Sequence, residues 1–250
     1  MKTKKRLDVL LAERGFFRSR EAARRAVMAG EVRVRGERVT KPARQVEPGS
    51  EISVEERRRY VGRGGGKLEH AISSFGVDPA GKVAVDIGAS TGGFTDCLLQ
   101  HGAALVYAVD VGRGLIDFSL RRNDRVRLME GVNARYLRRD SFPGKPLLAT
   151  IDVSFISLEK ILPAVRDILD EKGEVIALIK PQFEAGRREV SKGGVVRDPA
   201  VRASVVEKIK KIAGGIGFAV KGVVESPLRG PAGNVEYLIH LEMRGPDEDR

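Results

Sequence analysis

From residue 83 onward, short apolar runs alternate with segments of helical periodicity. The clearest runs are VAVDI at 83–87, LVYAVD at 105–110, LLATI at 147–151 and EVIALI at 174–179. Because these runs are apolar along their whole length, we expect both of their faces to be buried, as in a parallel sheet covered by helices on both sides. The last two runs, 217–226 and 235–243, have no helix between them, which predicts a terminal hairpin. The fold class is therefore α/β.

The charge of the chain is concentrated in its first quarter. The net charge is +11, of which residues 1–60 carry +8 and residues 61–250 carry +3. A compact basic segment attached to a nearly balanced body predicts a polyanion-binding module that delivers substrate to a second domain. A solvated basic face that keeps the protein soluble is the alternative for charge alone.

Residues 19–39 predict a basic helix followed by a basic hairpin. Apolar residues at 22, 23, 26 and 27 recur at helical spacing, Ser19 can cap the start of the helix and Gly30 can end it. After the helix, Val32 and Val34 alternate with Arg33 and Arg35 before a turn at Gly36. We expect the helix and strand arginines to converge on one phosphate-binding surface.

Residues 6–54 resemble the S4-type RNA-binding module of a small-subunit ribosomal protein. The motifs that carry the resemblance are RLDVLLAERG, SREAARRAVMAGEVRVRGERV and the closing PGSEISV. The resemblance implies a small α+β RNA-binding domain at 1–54. It also implies six RNA-facing residues, namely Arg18, Arg20, Arg24, Arg25, Arg33 and Arg35.

The segment EERRRYVGRGGG at 55–66 combines a charge run with glycines, which disfavour both helix and strand. We therefore expect a linker at 55–62. Helical spacing resumes at Lys67, with Leu68, Ala71, Ile72 and Phe75 on one stripe. The second domain is expected at 63–244 and a polar tail at 245–250.

A glycine-rich turn follows the first strand of the second domain. Glycines at 88, 92 and 93 lie between the strand and a predicted helix, where they allow a ligand to approach the backbone N–H groups closely. The turn lacks the Gly-Lys-Ser/Thr of a triphosphate-binding loop. One strand later, Asp110 stands where an acidic side chain accepts both ribose hydroxyls of a nucleoside. A simple tight turn without a ligand is the alternative.

The sequence DIGASTGGF resembles the S-adenosylmethionine loop of the FtsJ-like RNA methyltransferases, and more closely that of the TlyA family, often named haemolysin A. The resemblance implies a Rossmann-like methyltransferase fold with S-adenosylmethionine as cofactor. By position it places Asp86, Gly88 and Gly92 beside the methionine part, Asp110 at the ribose and Asn133 near the adenine. The implied cofactor-binding set is Asp86, Gly88, Ser90, Gly92, Asp110 and Asn133.

Four polar residues stand at strand or helix ends where apolar residues would be expected, namely Lys67, Asp152, Lys180 and Glu236. Because the carboxyl ends of neighbouring parallel strands meet at one crevice, we expect Asp152 and Lys180 to be neighbours. The set resembles the Lys-Asp-Lys-Glu tetrad of ribose 2′-O-methyltransferases. That resemblance implies Lys180 as the base, Asp152 and Glu236 as orienting partners and Lys67 as a group that positions the target ribose.

The resemblance implies methylation of the ribose 2′-hydroxyl, on cytidine, in ribosomal RNA or ribosomal subunits. Two alternatives are a non-catalytic RNA-binding assembly factor and a membrane-lytic haemolysin. No apolar run approaches the roughly 18 residues of a membrane span, and the first 15 residues lack the apolar core of a signal peptide. We therefore expect a cytoplasmic enzyme.

The residues that most often bind metals give no metal site. His70, His101 and His240 share no ligand spacing, so no metal is predicted. The single cysteine, Cys97, cannot form an internal disulfide and is predicted to be a small core residue.

Overall fold

The computed structural model describes residues 4–54 and 59–245. The chain divides into two compact units, Met1–Arg58 and Arg59–Arg250. Each unit has hydrophobic core residues of its own. The division falls inside the predicted linker.

The first unit combines two helices with short strands. The helices are α1 (Leu7–Glu13) and α2 (Arg20–Met28), and the strands are β1 (Lys5–Arg6), β2 (Val32–Val34), β3 (Glu37–Val39), β4 (Gln45–Val46) and β5 (Ile52–Val54). Strands β3, β2 and β5 form an antiparallel sheet in that order, and β1 pairs with β4. The hydroxyl of Ser19 accepts a hydrogen bond from the N–H of Ala22 and caps α2, as predicted.

The turn between β2 and β3 consists of Arg35 and Gly36, whose φ angles are 52° and 79°. Two successive positive φ values give the turn a twist that matches the twist of a hairpin, so the predicted hairpin is confirmed. Arg35, however, lies in the turn and not on the strand beside Arg33. Its guanidinium pairs with the carboxylate of Glu47 at 2.7 Å. The expected arginine face of the strand therefore retains Arg33, opposite Arg38 of β3.

The second unit is built on a seven-stranded sheet. Its strands are β6 (Val83–Ile87), β7 (Leu105–Asp110), β8 (Val126–Glu130), β9 (Leu148–Ile151), β10 (Glu174–Ile179), β11 (Phe218–Glu225) and β12 (Tyr237–Met243). Their order in the sheet is β11-β12-β10-β9-β6-β7-β8. Strands β6 to β10 are parallel to one another, whereas β12 is antiparallel to both β10 and β11. The predicted α/β sheet with a terminal hairpin is confirmed.

Helices cover both faces of this sheet. They are α3 (Gly64–Phe75), α4 (Gly93–Gln100), α5 (Phe118–Arg121), α6 (Leu162–Ile168), α7 (Pro181–Glu184) and α8 (Pro199–Gly215), with short 3₁₀ turns at Ala134–Tyr136, Arg139–Ser141 and Leu158–Lys160. Within residues 4–54 and 59–245, none of the helices combines the length and apolar character that a membrane span requires.

The two faces explain the continuous apolar runs. Successive strand residues point to opposite faces of a sheet. In β10, Val175 and Ala177 pack in the core with α6 and α8, whereas Ile176 and Leu178 pack in the core with α3 and α4. Cys97 on α4 is fully buried in the second of these cores, which confirms its predicted role.

The start of the second unit differs from the prediction. Residues 55–58 of the expected linker lie outside the described residues, as does the expected tail apart from Gly245. Tyr60 is buried, and the N–H of Val61 donates to the carboxylate of Asp96 at 2.9 Å. Helix α3 begins at Gly64, three residues before Lys67. A Cβ on Gly65 would lie 2.2 Å from the Tyr60 ring, so this glycine permits close packing and not flexibility.

Candidate active site

Two cavities lie at the carboxyl ends of the parallel strands. The smaller has a volume of about 390 Å³, and its lining includes Gly88, Ser90, Asp110 and Asn133. The larger has a volume of about 820 Å³, and its lining includes all four predicted catalytic residues, Lys67, Asp152, Lys180 and Glu236. Asp152, Ser154 and Phe155 line both cavities. The loop after β9 therefore separates the two cavities.

The turn after β6 brings the backbone close to the smaller cavity. Gly88 has a φ of 83°, and a Cβ at this position would lie 2.5 Å from the carbonyl oxygen of Asp152. Only glycine fits where these two loops approach each other. Ser90 also has a positive φ, of 50°, and its N–H donates to Oδ2 of Asp110 at 2.8 Å.

Asp110, the last residue of β7, and Asn133, which follows β8, also line the smaller cavity. The second carboxylate oxygen of Asp110 accepts a hydrogen bond from the N–H of Gly112 at 2.7 Å. These backbone bonds hold the carboxylate at the strand end, where its remaining lone pairs can accept hydroxyl groups. The side-chain oxygen of Asn133 accepts from the N–H of Arg135 at 3.1 Å and caps the 3₁₀ turn that follows.

The structure corrects the placement of Asp86 and Gly92, which were expected to line the methionine side. Asp86 is fully buried, and its carboxylate accepts hydrogen bonds from the hydroxyls of Thr95 at 2.6 Å and Thr150 at 2.9 Å. Burial raises the pKa of Asp86 to about 6. A Cβ on Gly92 would lie 2.2 Å from a methyl carbon of Leu120, so this glycine packs against α5. Both residues therefore support the turn from behind the cavity wall.

The four predicted catalytic residues form two ion pairs. Nζ of Lys67 lies 2.5 Å from Oε2 of Glu236, and Nζ of Lys180 lies 2.5 Å from Oδ1 of Asp152. Lys67 and Glu236 are both buried, with 8% and 1% of their surface exposed. A buried charge is tolerated when an opposite charge and hydrogen bonds compensate it. The pairing therefore lets two ammonium groups and two carboxylates share one cavity.

Ser154 and Phe155 line both cavities and Phe183 lines the larger one, and none of the three was predicted from the sequence. Nζ of Lys180 donates to the hydroxyl of Ser154 at 2.9 Å. The ring of Phe155 is 90% exposed at a φ of 63°, and its centroid lies 5.0 Å from that of Phe183. The sequence signal that could have indicated Phe155 is an aromatic residue three positions after Asp152. The outward direction of its ring, however, depends on the loop conformation.

In the first unit, a buried carboxylate holds two arginines. Asp8 is fully buried, and its Oδ2 lies 2.9 Å from Arg6 and 3.1 Å from Arg20. The hydrogen bond from Arg6, together with Arg20, lowers the pKa of Asp8 to about 2. Arg6 is absent from the predicted RNA-facing set, although the motif RLD places it beside Asp8.

The other predicted RNA-facing residues differ in their surroundings. Arg18 and Arg25 are exposed, and Arg24 lies 3.8 Å from Glu21. Arg33 is half-buried and donates to the carbonyl oxygen of Gly36 at 3.1 Å. The set therefore mixes exposed guanidinium groups with groups that already have local partners.

Comparison with known families and proteins adds independent evidence. The family model described as FtsJ-like methyltransferase matches residues 60–243, and the model described as S4 domain matches residues 5–52. The chain belongs to the FtsJ-like methyltransferase family. The expected Rossmann-like methyltransferase fold and the S4 domain are thereby confirmed, and because the S4 domain binds RNA, RNA is the class of substrate.

Relatives of this FtsJ-like methyltransferase match it over nearly its whole length. YqxC of Bacillus subtilis is 47% identical, with 98% of this chain and 88% of that protein covered. The 16S/23S rRNA (cytidine-2′-O)-methyltransferase TlyA of Mycobacterium tuberculosis is 42% identical, with 96% and 91% covered. A solved structure from Streptococcus thermophilus is 48% identical with a TM-score of 0.75, and 98% of this chain and 90% of that one are covered.

An FtsJ-like methyltransferase takes its methyl group from S-adenosylmethionine, and the smaller cavity fits this cofactor. Asp110 offers a carboxylate for ribose hydroxyls, and Gly88 forms part of the cavity wall. Apolar side chains such as Val111 and Leu115 offer a surface for a base. Among the described residues that line this cavity, none is lysine or arginine, which suits a cofactor without phosphate groups.

Proposed function

We propose that this methyltransferase acts on the ribose 2′-hydroxyl of a cytidine in ribosomal RNA, with ribosomal subunits as its partners in the cytoplasm. The proposal rests on two ion pairs, Lys67 with Glu236 and Lys180 with Asp152. Both line one cavity, which lies beside the cofactor cavity. The 42% identity to TlyA supports the choice of cytidine and ribosomal RNA.

A ribose hydroxyl must lose its proton when its oxygen attacks a methyl group. When bound, S-adenosylmethionine supplies the electrophilic methyl group. Lys180 lines the larger cavity, and Asp152 and Ser154 fix its amine. The ammonium group first gives a proton to solvent. The neutral amine then accepts the hydroxyl proton while the new oxygen–carbon bond forms and the methyl–sulfur bond breaks, so that a neutral thioether would leave. The resulting ammonium group is stabilised by the carboxylate of Asp152, which lies 2.5 Å away.

Lys67 and Glu236 have a different role in this mechanism. Because the buried carboxylate of Glu236 holds the ammonium group of Lys67, the position of that group is fixed before RNA binds. Its N–H donors orient the ribose so that the hydroxyl faces both Lys180 and the methyl group. Alignment of this kind can contribute about 7–11 kcal/mol to catalysis.

The aromatic wall suits an unpaired nucleotide. Enzymes that modify one nucleotide of a structured RNA gain access by taking it out of its stack, and aromatic rings then hold its base. The exposed ring of Phe155 lines both cavities and contacts Phe183. We therefore place the base of the target nucleotide against Phe155.

The first unit supplies RNA affinity. We assign this role to residues 1–54, with contacts through the exposed guanidinium groups of Arg18, Arg20, Arg24, Arg25 and Arg35 and the half-buried Arg33. We assign methyl transfer to the second unit, which begins at Arg59.

The test is methyl transfer by the purified chain to isolated ribosomal subunits, with isotopically labelled S-adenosylmethionine and mapping of ribose-methylated nucleotides. We expect label on the 2′-oxygen of cytidine with the wild type and none above background with Lys180→Ala. RNA binding without any methyl transfer would favour the assembly-factor alternative. Leakage from lipid vesicles without methyl transfer would favour the membrane-lytic alternative.

A further inference from the structure

Glu184, the last residue of α7, is a buried acid behind the wall of the larger cavity. It is 7% exposed, and its neighbour Phe183 belongs to the cavity lining. Its carboxylate accepts two hydrogen bonds from the loop after β9. The hydroxyl of Ser157 donates to Oε2 at 2.6 Å, and the N–H of Leu158 donates to Oε1 at 2.7 Å. Burial raises the pKa of Glu184, and these two bonds oppose that rise because they favour the carboxylate.

The segment 180–184 contacts the loop 152–158 at its beginning, middle and end. The contacts are those of Lys180 with Asp152 and Ser154, of Phe183 with Phe155, and of Glu184 with Ser157 and Leu158. Glu184 makes the contact at the far end of the loop. The segments that follow β9 and β10 therefore contact each other along their whole length.

The loop needs this support because its own conformation is unfavourable. Phe155 has a φ of 63°, a left-handed value that side chains with a Cβ rarely adopt, and its ring is 90% exposed. Such a residue keeps its conformation only where the surrounding structure imposes it. The same loop carries Asp152, and its residues line both cavities. A displacement of the loop would move the partner of Lys180 and the wall between the two cavities together.

We propose that Glu184 is a positioning residue for methyl transfer. It acts by holding the loop 152–158 in place through hydrogen bonds from Ser157 and Leu158. The proposal rests on the proposed function, because it takes the two cavities to be the sites of the cofactor and the ribose. Glu184 itself contacts neither the cofactor nor the ribose in this scheme.

The first test follows the loop directly. The chain contains no tryptophan, so Phe155→Trp introduces a single fluorescent reporter at a position that has room for it. In this background we expect Glu184→Ala to lower the fluorescence anisotropy of the introduced tryptophan, because the loop gains nanosecond motion. We expect Glu184→Gln to leave it unchanged, since the amide oxygen still accepts from Leu158 and the amide nitrogen can donate to Ser157.

The second test measures chemistry in the chain without the reporter. At saturating cofactor and RNA, we expect Glu184→Ala to lower the single-turnover rate by about 10- to 100-fold, because small misplacements of reacting groups have effects of this size. Affinities for cofactor and RNA should change less than the rate does, and Glu184→Gln should restore the rate to within about threefold of the wild type.

The matched control is Glu174→Ala, which removes an acid from the opposite end of β10. Glu174 pairs with Lys82 and with His240, and neither lines the larger cavity. This variant should lower the melting temperature without changing the single-turnover rate. If Glu184→Ala does not fold, Ser157→Ala tests the same link, with an expected rate loss of about 3- to 10-fold.

Two outcomes separate this proposal from the proposed function. A wild-type chain that transfers no methyl group to RNA overturns the proposed function and, with it, this role. An active wild type whose rate and tryptophan anisotropy are both unchanged by Glu184→Ala, or by Ser157→Ala in its place, overturns the positioning role alone.

Discussion

Asp152 and Lys180 follow neighbouring parallel strands, β9 and β10, and their Oδ1 and Nζ atoms lie 2.5 Å apart. Asp152 lines both cavities, whereas Lys180 lines the larger cavity and does not belong to the lining of the smaller one. Parallel pairing brings the carboxyl ends of the two strands to the same edge of the sheet, which is why residues distant in sequence meet there. The pair therefore lies where the two cavities meet.

Replacing Lys180 tests its role as the base. We expect Lys180→Ala to lower the single-turnover rate by about 10²- to 10⁴-fold, because the hydroxyl loses its proton acceptor. Cofactor and RNA affinities should stay close to those of the wild type. Lys180→Arg is the control for charge, since a guanidinium can pair with Asp152 but cannot accept a proton at neutral pH. A fully active arginine variant would contradict the assignment.

Replacing Asp110 tests the ribose end of the cofactor cavity. We expect Asp110→Ala to weaken S-adenosylmethionine binding by about 10- to 100-fold, because hydrogen bonds to a charged acceptor contribute about 1.5–3 kcal/mol. Isothermal titration calorimetry measures this change. Asn133→Ala should have a smaller effect, since its side-chain oxygen already accepts from Arg135. Equal affinities for the wild type and Asp110→Ala would refute the ribose assignment.

The low pKa of Asp8 predicts how the stability of the first unit depends on pH. The pKa of Asp8 is about 2 in the folded chain, below the ordinary value of 3.8, so folding is more favourable when this side chain is a carboxylate. The resulting stabilisation is present above about pH 4 and is lost as the pH falls toward 2. We expect Asp8→Asn to destabilise this unit at pH 7 and to have progressively less effect below pH 4.

Hydrogen exchange of residues 4–54 in the full chain, measured at several pH values, checks the Asp8 prediction without interference from the second unit. The control is Glu37→Gln, because Glu37 pairs with Arg44 at the surface, where ion pairs contribute little. A difference between wild type and Asp8→Asn that does not shrink in acid would contradict the prediction.

The salt dependence of RNA binding tests the arginines of the first unit. We expect Arg18→Gln and Arg25→Gln each to reduce the slope of log affinity against log salt by about 0.7 for single-stranded RNA or about 0.9 for a duplex, as expected for one lost phosphate contact. Lys221→Gln, on the edge strand β11, is the control and should leave the slope unchanged. An unchanged slope in both arginine variants would indicate that the RNA contacts lie in the second unit.

Asp152 and Lys180 could be predicted as neighbours from element order, because each follows a parallel strand and the sheet brings those strand ends together. Lys67 and Glu236 were added to them by the resemblance to the tetrad of ribose 2′-O-methyltransferases. Asp110 could be predicted in the same way, since it ends β7. The placement of Asp86 failed because nothing in its own segment shows that the hydroxyls of Thr95 and Thr150 would surround it.

The sequence by itself determined the elements and their order, because the apolar periodicity, the helix caps and the strand-end polar residues are all local signals. It also determined that a hairpin turn includes Gly36, although it placed Arg35 on the strand and not in the turn. Only the tertiary structure decided that α3 begins at Gly64, because the close packing of Gly65 on Tyr60 involves a residue outside the helix. It likewise decided that Phe155 points outward and that Glu184 holds its loop. Those features arise from contacts between segments about 27 residues apart, and no local pattern encodes them.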